Sequence, residues 1–210
     1  MANGRLLPIR VRLSTIPLLL LASCCGRSHH HGMTVVSAHS DGPVKIHQMG
    51  GDIDVKEAPQ GANLETMGGN ITVEQAGGSV EAETMGGEIR INSAFGPIKA
   101  STMGGDIKVR IAGTSSSQRD IQLSSKAGTI ALTVPKDFPM QVGITLAYTK
   151  NSSQEFRISE HLGLTQRVSS DWESGFGSPR KFIRASGRVG NGENRVTIDT
   201  INGDVIIRQE

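Results

Sequence analysis

Met49-Gly-Gly-Asp-Ile-Asp-Val, Met67-Gly-Gly-Asn-Ile-Thr-Val, Met85-Gly-Gly-Glu-Ile-Arg-Ile and Met103-Gly-Gly-Asp-Ile-Lys-Val recur at a fixed interval of 18 residues. An unbroken short period of this kind marks a solenoid, in which each repeat buries its apolar face only by stacking on the next. Each unit contains a half-period of nine. Apolar residues fall at Val44, Ile53, Ala62, Ile71, Val80, Ile89, Ile98 and Ile107, with apolar partners two residues on, from Ile46 and Val55 to Ala100 and Val109. Lys45, Asp54, Thr72, Glu81, Arg90, Lys99 and Lys108 occupy the positions between. Apolar and polar residues therefore alternate, the pattern of a strand with one buried face.

Two short strands per repeat predict an all-β fold. We read it as a single-stranded parallel β-helix or β-roll-like solenoid with 18-residue coils, each of two nine-residue half-coils. Coils would stack at about 4.8 Å, the separation of neighbouring strands. Ile53, Ile71, Ile89 and Ile107 would form one internal ladder. Gly42, Gly51, Gly69, Gly78, Gly87, Gly96 and Gly105 punctuate the half-units, and tight corners are expected to use the positive φ that glycine permits. Gly51, Gly69, Gly87, Gly105 and Gly203 are the predicted structural turn residues.

Beyond Val109 the period relaxes. A Gly-Thr-Ser-Ser-Ser stretch between Ile111 and Asp120 reads as a loop. Strands are expected at Ile121–Leu123, Thr129–Val134, Met140–Tyr148 and Phe182–Ala185. The least regular stretch, about residues 150–180, holds Phe156, Trp172 and Phe176, three of the seven aromatic residues. It is expected to cap an open solenoid end, which would otherwise expose unpaired strand edges; a binding loop is the competing reading. Thr200-Ile-Asn-Gly-Asp-Val then matches Thr66-Met-Gly-Gly-Asn-Ile, so the solenoid is expected to resume at the C-terminus.

The N-terminus carries an address. Arg5, Arg10 and Arg12 precede a short apolar stretch, Leu13 to Ala22, interrupted by Ser14, Thr15 and Pro17. It is too short for a stable membrane-spanning helix and has the layout of a signal peptide. Its end, Leu21-Ala22-Ser23-Cys24, resembles a bacterial lipobox, so Cys24 is the expected lipidation site. Cys24 and Cys25 are the only cysteines, which leaves the folded part without a disulfide. Cys25 is open to a second acylation, which would strengthen anchoring, or to a free thiol. The expected organisation is a signal peptide over 1–23, a lipid-attached tether over 24–40 and one β-solenoid domain over 41–210. His29-His30-His31 in the tether fix no metal geometry by themselves. Cleavage before Cys24 removes Arg5, Arg10 and Arg12 and leaves 19 basic against 20 acidic residues, a net charge of −1. No basic patch argues for nucleic acid. The expected partners are a membrane, through the lipid, and an unidentified extracellular or envelope ligand.

With the Gly-Asp-Ile and Gly-Glu-Ile repeats, Gly187-Arg-Val-Gly-Asn-Gly and Thr200-Ile-Asn-Gly-Asp-Val in view, the chain resembles a bacterial adhesin domain family of unknown function, sometimes grouped with auto-transporter adhesin heads. The resemblance spans roughly Val35 to Arg208. It implies an exported β-solenoid-like domain without known catalytic residues. The regular methionine column departs from the family, which is more varied at that corner.

Three constellations invite chemistry. Asp52, Asn70, Glu88, Asp106 and Asp204 follow the glycines and would stack in a column. Calcium rolls supply acidic ligands from every nonapeptide; here there is one polar residue per 18, so turn positions satisfying backbone donors are the expected role. Met49, Met67, Met85 and Met103 with His47 could hold copper. Methionine is also a pliable core filler, and Ile201 stands in the same slot of the last copy, so packing in the core is expected. A carbohydrate-active enzyme would need convergent carboxylates and sugar-stacking aromatics, yet the repeats hold one aromatic, Phe95. No catalytic residue, metal or cofactor is therefore assigned. The expected function is a non-catalytic envelope lipoprotein that binds or adheres at the surface, with a periplasmic scaffold or stress-signalling accessory as the alternative.

Overall fold

The computed structural model describes residues 34–37, 42–113, 118–150, 152, 154–173 and 178–210. Among these the chain is all β, in seventeen strands. In chain order they are β1 (Thr34–Ser37), β2 (Val44–Gln48), β3 (Ile53–Ala58), β4 (Ala62–Thr66), β5 (Ile71–Ala76), β6 (Val80–Thr84), β7 (Ile89–Ala94), β8 (Ile98–Thr102) and β9 (Ile107–Ile111). They continue with β10 (Asp120–Ser125), β11 (Ile130–Val134), β12 (Met140–Thr149), β13 (Ile158–Ser159), β14 (Thr165–Val168), β15 (Arg180–Val189), β16 (Asn194–Ile201) and β17 (Val205–Gln209).

Successive strands go to alternate sheets. The first sheet has the order β1-β3-β5-β7-β9-β11-β17-β13, the second β14-β15-β12-β16-β10-β8-β6-β4-β2. Both are mostly parallel, consistent with a β-helix-like or solenoid-like fold. Equivalent residues pair directly: Ile53 with Ile71, Ile71 with Ile89, Ile89 with Ile107, and Ile107 with Ile130. Alternation makes this work. In β5, Ile71 and Val73 are fully buried while Thr72 and Glu74 face outward. The inner faces of the two sheets supply the apolar core. Fully burying one such isoleucine stabilises by roughly 1.5–3 kcal/mol, and no internal crosslink is needed among the described residues.

The C-terminal part differs from a simple continuation. After β11 the chain does not lay β12 beside β10. It leaves one place in each sheet, which β16 and β17 later fill: β16 lies between β10 and β12, and β17 between β11 and β13. The last repeat copy is therefore internal, not terminal. Buried Asn194 fixes the insertion, accepting the Arg119 amide at 2.9 Å and donating its own amide group to the Pro139 carbonyl at 2.6 Å. Pairing is also not wholly parallel. β15 runs antiparallel to β12 over ten residue pairs, and β14 antiparallel to β15. These strands lie at the far end of the second sheet, where Ile158, Leu164, Phe156 and Leu162 pack on the core. Among the described residues of the stretch read as irregular, β13 and β14 are the last strands of the first and second sheets at that end.

Candidate binding surface

The corner between the sheets is built from a three-residue grammar. The last inward residue of β4, β6, β8, β10 and β16 is a buried hydroxyl: Thr66, Thr84, Thr102, Ser125 and Thr200. Each donates to the carbonyl of a glycine one turn away, namely Gly51, Gly69, Gly87, Gly105 and Gly128, at 2.9–3.1 Å. Sequence reasoning passed over these residues because Thr reads as an ordinary strand former. Its regular place before Met-Gly-Gly was the available signal.

The glycines follow. Positive φ was expected throughout the column, but only Gly51 among the five has it, at 94°. At Gly69 a Cβ would lie 1.8 Å from the Gly51 carbonyl oxygen. Corresponding distances are 2.0 Å at Gly87, 2.1 Å at Gly105 and 1.8 Å at Gly203, the last against Gly128. These corners need glycine because backbone stacks directly on backbone, leaving no room for a side chain.

The polar column comes next. The Asp52 carboxylate accepts the Asn70 amide at 2.7 Å, and the Asn70 side-chain oxygen accepts the Glu88 amide at 2.8 Å. Asp106 accepts from Thr129 and Asp204 from Arg157, both at 2.8 Å. The oxygens of these four residues serve backbone donors, as read, though the donor belongs to the neighbouring turn and not the residue's own. Glu88 instead holds Arg90 at 2.7 Å and Lys108 at 3.0 Å. Partial burial raises its pKa, but the two hydrogen bonds and charges outweigh that and keep it below the usual carboxylate range. Among the described residues no three His, Cys, Asp or Glu converge as a metal cluster.

The methionines overturn the core-packing expectation. Met49 is 83% exposed, Met67 46%, Met85 48% and Met103 45%. The inward slot is already taken by the preceding Thr or, before Met49, by Gln48, so alternation turns the methionine outward. Ile201, in the same slot, is half-buried. Cys24, Cys25, His29-His30-His31 and Phe176 lie outside the described residues.

Two of the concavities among the described residues bear on binding. One, of about 470 Å³, lies over Ala131, Thr133 and Ile206 on the outer face of the first sheet, ringed by Arg90, Lys108, Arg110 and Arg208. Three of these cations are already paired, Arg90 and Lys108 with Glu88, and Arg110 with Glu210. The other, of about 510 Å³, sits at the end of the second sheet. Tyr148 at the end of β12, Phe156 in the following turn, Trp172 after β14, Val168 and Ile183 give it apolar walls; Thr149, Lys150, Ser152, Gln154 and Glu155 add polar groups. The Tyr148 and Trp172 rings meet edge to face, 5.7 Å between centroids, and the Lys181 ammonium lies 5.3 Å from the Trp172 ring. Backbone bonds between Glu173 and Arg180 at 2.8 and 3.0 Å, and from Ser169 to Phe182 at 2.9 Å, hold the Trp172 segment against β15. Asn202, at φ 52°, places its side-chain oxygen 2.9 Å from the Thr149 amide and fixes the opposite wall. Val168 stays 61% exposed. The groove is thus a pre-formed aromatic wall with a polar rim. No protein-family model, curated protein or solved structure matches this chain.

Proposed function

We propose that this chain is a non-catalytic binding module of the bacterial cell envelope, lipid-anchored through Cys24 and of the adhesin type that its repeats resemble. Its body is a parallel β-solenoid in 18-residue coils. The register partners Ile53, Ile71, Ile89 and Ile107 support that period, and the step from Ile107 to Ile130 is five residues longer, matching the loop after β9. The observation that carries the binding role is the groove of Tyr148, Phe156 and Trp172. Aromatic planes beside hydroxyl, amide and charged groups suit an apolar-faced, hydroxyl-edged ligand such as a glycan. The repeat carboxylates, by contrast, are engaged in building the corner or in ion pairs, which favours a scaffold over a reaction centre.

Two measurements test this. Protease shaving of intact cells should remove residues 35–210 while periplasmic and cytoplasmic controls survive. Protection until the outer membrane is opened would replace the adhesin reading with a periplasmic scaffold. A glycan array probed with the protein should give signals that Trp172→Ala abolishes without lowering the unfolding midpoint. Undiminished signals would remove the groove from the binding site.

A further inference from the structure

We propose that the methionine column is a binding site for a soft monovalent metal ion, Cu(I), with Ag(I) as its laboratory counterpart. The column is brought into line from both sides. Gln48, Thr66, Thr84 and Thr102, each immediately before a methionine, pair in register across β2, β4, β6 and β8. Gly69, Gly87 and Gly105, two residues after a methionine, stack on the carbonyl of the preceding glycine. Neighbouring methionines are therefore held one strand apart, about 4.8 Å. Metal–ligand bonds of about 2.3 Å in a tetrahedral arrangement set the ligand atoms about 3.8 Å apart, within reach of flexible side chains on adjacent turns.

Packing does not account for these side chains, since the inward slot beside each belongs to a Thr or, at the first turn, Gln48. The side chains of Met49, Met67 and Met85 are instead exposed to solvent. Thioethers are neutral soft donors, which select Cu(I) over hard cations.

An independent feature lies in the adjacent column. Two residues before Met49, Met67 and Met85 on the same outward face stand His47, Glu65 and Glu83. His47 Nδ1 is 2.9 Å from a Glu65 carboxylate oxygen. In the neutral tautomer whose Nδ1–H donates to that carboxylate, Nε2 carries a lone pair. A carboxylate-oriented imidazole beside soft ligands is the arrangement that tunes metal-binding histidines. Glu65 and Glu83 also add negative potential next to the sulfurs. The column has an end: Ser125 pairs with Thr102, so Lys126 takes the slot beyond Met103, and its ammonium opposes a cation there. This places the ion at Met49, Met67 and Met85, with His47 Nε2 as the fourth donor.

The test uses the full chain in detergent, thiols alkylated, with methionine carrying 13C methyl groups, titrated with Ag(I) and with Cu(I) under anaerobic ascorbate. Methyl signals of Met49, Met67 and Met85 should shift together at one equivalent. Met140, fully buried in the core, should not move. The Met67→Leu/Met85→Leu variant should keep the wild-type unfolding midpoint and bind at least 100-fold more weakly; His47→Asn should weaken binding about tenfold. Methionine signals that stay put at one equivalent, or undiminished affinity in the double variant, would overturn the site.

Discussion

Gly68 and Gly69 are adjacent and chemically identical, yet the fold should treat an added methyl group in opposite ways. At Gly69 a Cβ would sit 1.8 Å from the Gly51 carbonyl oxygen, 2.3 Å from its carbon and 2.9 Å from the Asp52 nitrogen. Ordinary contact begins near 3.4 Å, so two turns must separate locally by about 1.6 Å. That separation strains the bonds around the corner: Asn70 amide to Asp52 at 2.7 Å, Thr66 to Gly51 at 3.1 Å and Thr84 to Gly69 at 2.9 Å. Overpacking costs roughly 1–3 kcal/mol, and each weakened bond adds about 0.5–1.5 kcal/mol. Gly69→Ala should therefore destabilise by about 2.5–7.5 kcal/mol, a large share of the total of about 5–15 kcal/mol typical of a domain. At Gly68 a Cβ meets nothing within 4 Å and φ is not in the left-handed region, so Gly68→Ala should lie within about 0.5 kcal/mol of wild type. Urea unfolding followed by circular dichroism measures both. Gly69→Asn separates the two possible causes, since Asn tolerates positive φ but not the clash; it should be no better than Gly69→Ala. Equal midpoints for Gly68→Ala and Gly69→Ala, or rescue by Asn, would refute the close-approach argument.

Three further outcomes follow from the same geometry. Thr84→Val keeps the shape but leaves the buried Gly69 carbonyl without its hydroxyl donor and should cost about 1–3 kcal/mol by urea unfolding, whereas Thr84→Ser should recover most of it. Because the Glu88 pKa is depressed in the fold, its contribution is present above the unfolded value near 4.5 and is lost as pH falls through the folded value; Glu88→Gln should flatten the acid limb of a stability–pH curve and leave its neutral-to-basic shape unchanged. Deleting residues 194–210 empties one place in each sheet, so amide exchange should show protection lost in β12 and β15 and kept in β5 and β7.

The repeated half of the fold was legible because its physics is local and periodic. Ile71, Val73, Ile89 and Ile91 alternate with polar residues, and one buried face is the only arrangement that pattern allows. The methionine slot was misread because hydrophobicity alone was weighed. Whether Met67 points in or out depends on Thr66 taking the inward slot, and that follows from a hydrogen bond to Gly51, a residue of another turn. The Gly69 corner was recognised for the wrong reason, since positive φ is a local property and close approach a relation between turns. The groove was only half visible. Trp172 and Phe156 stood out in an irregular stretch, but Tyr148 looked like an ordinary strand residue until β14 and β15 folded back antiparallel beside it.

By itself the sequence determined an all-β chain of short strands with one inward face, because that follows from alternation and a fixed period. Only the tertiary structure decided the order in which strands meet. It moved the last repeat copy into the interior, between β10 and β12 and between β11 and β13, because Asn194 and the paired backbones of distant segments fit there. It also decided which apolar side chains face water, since burial is a property of neighbours and not of a residue.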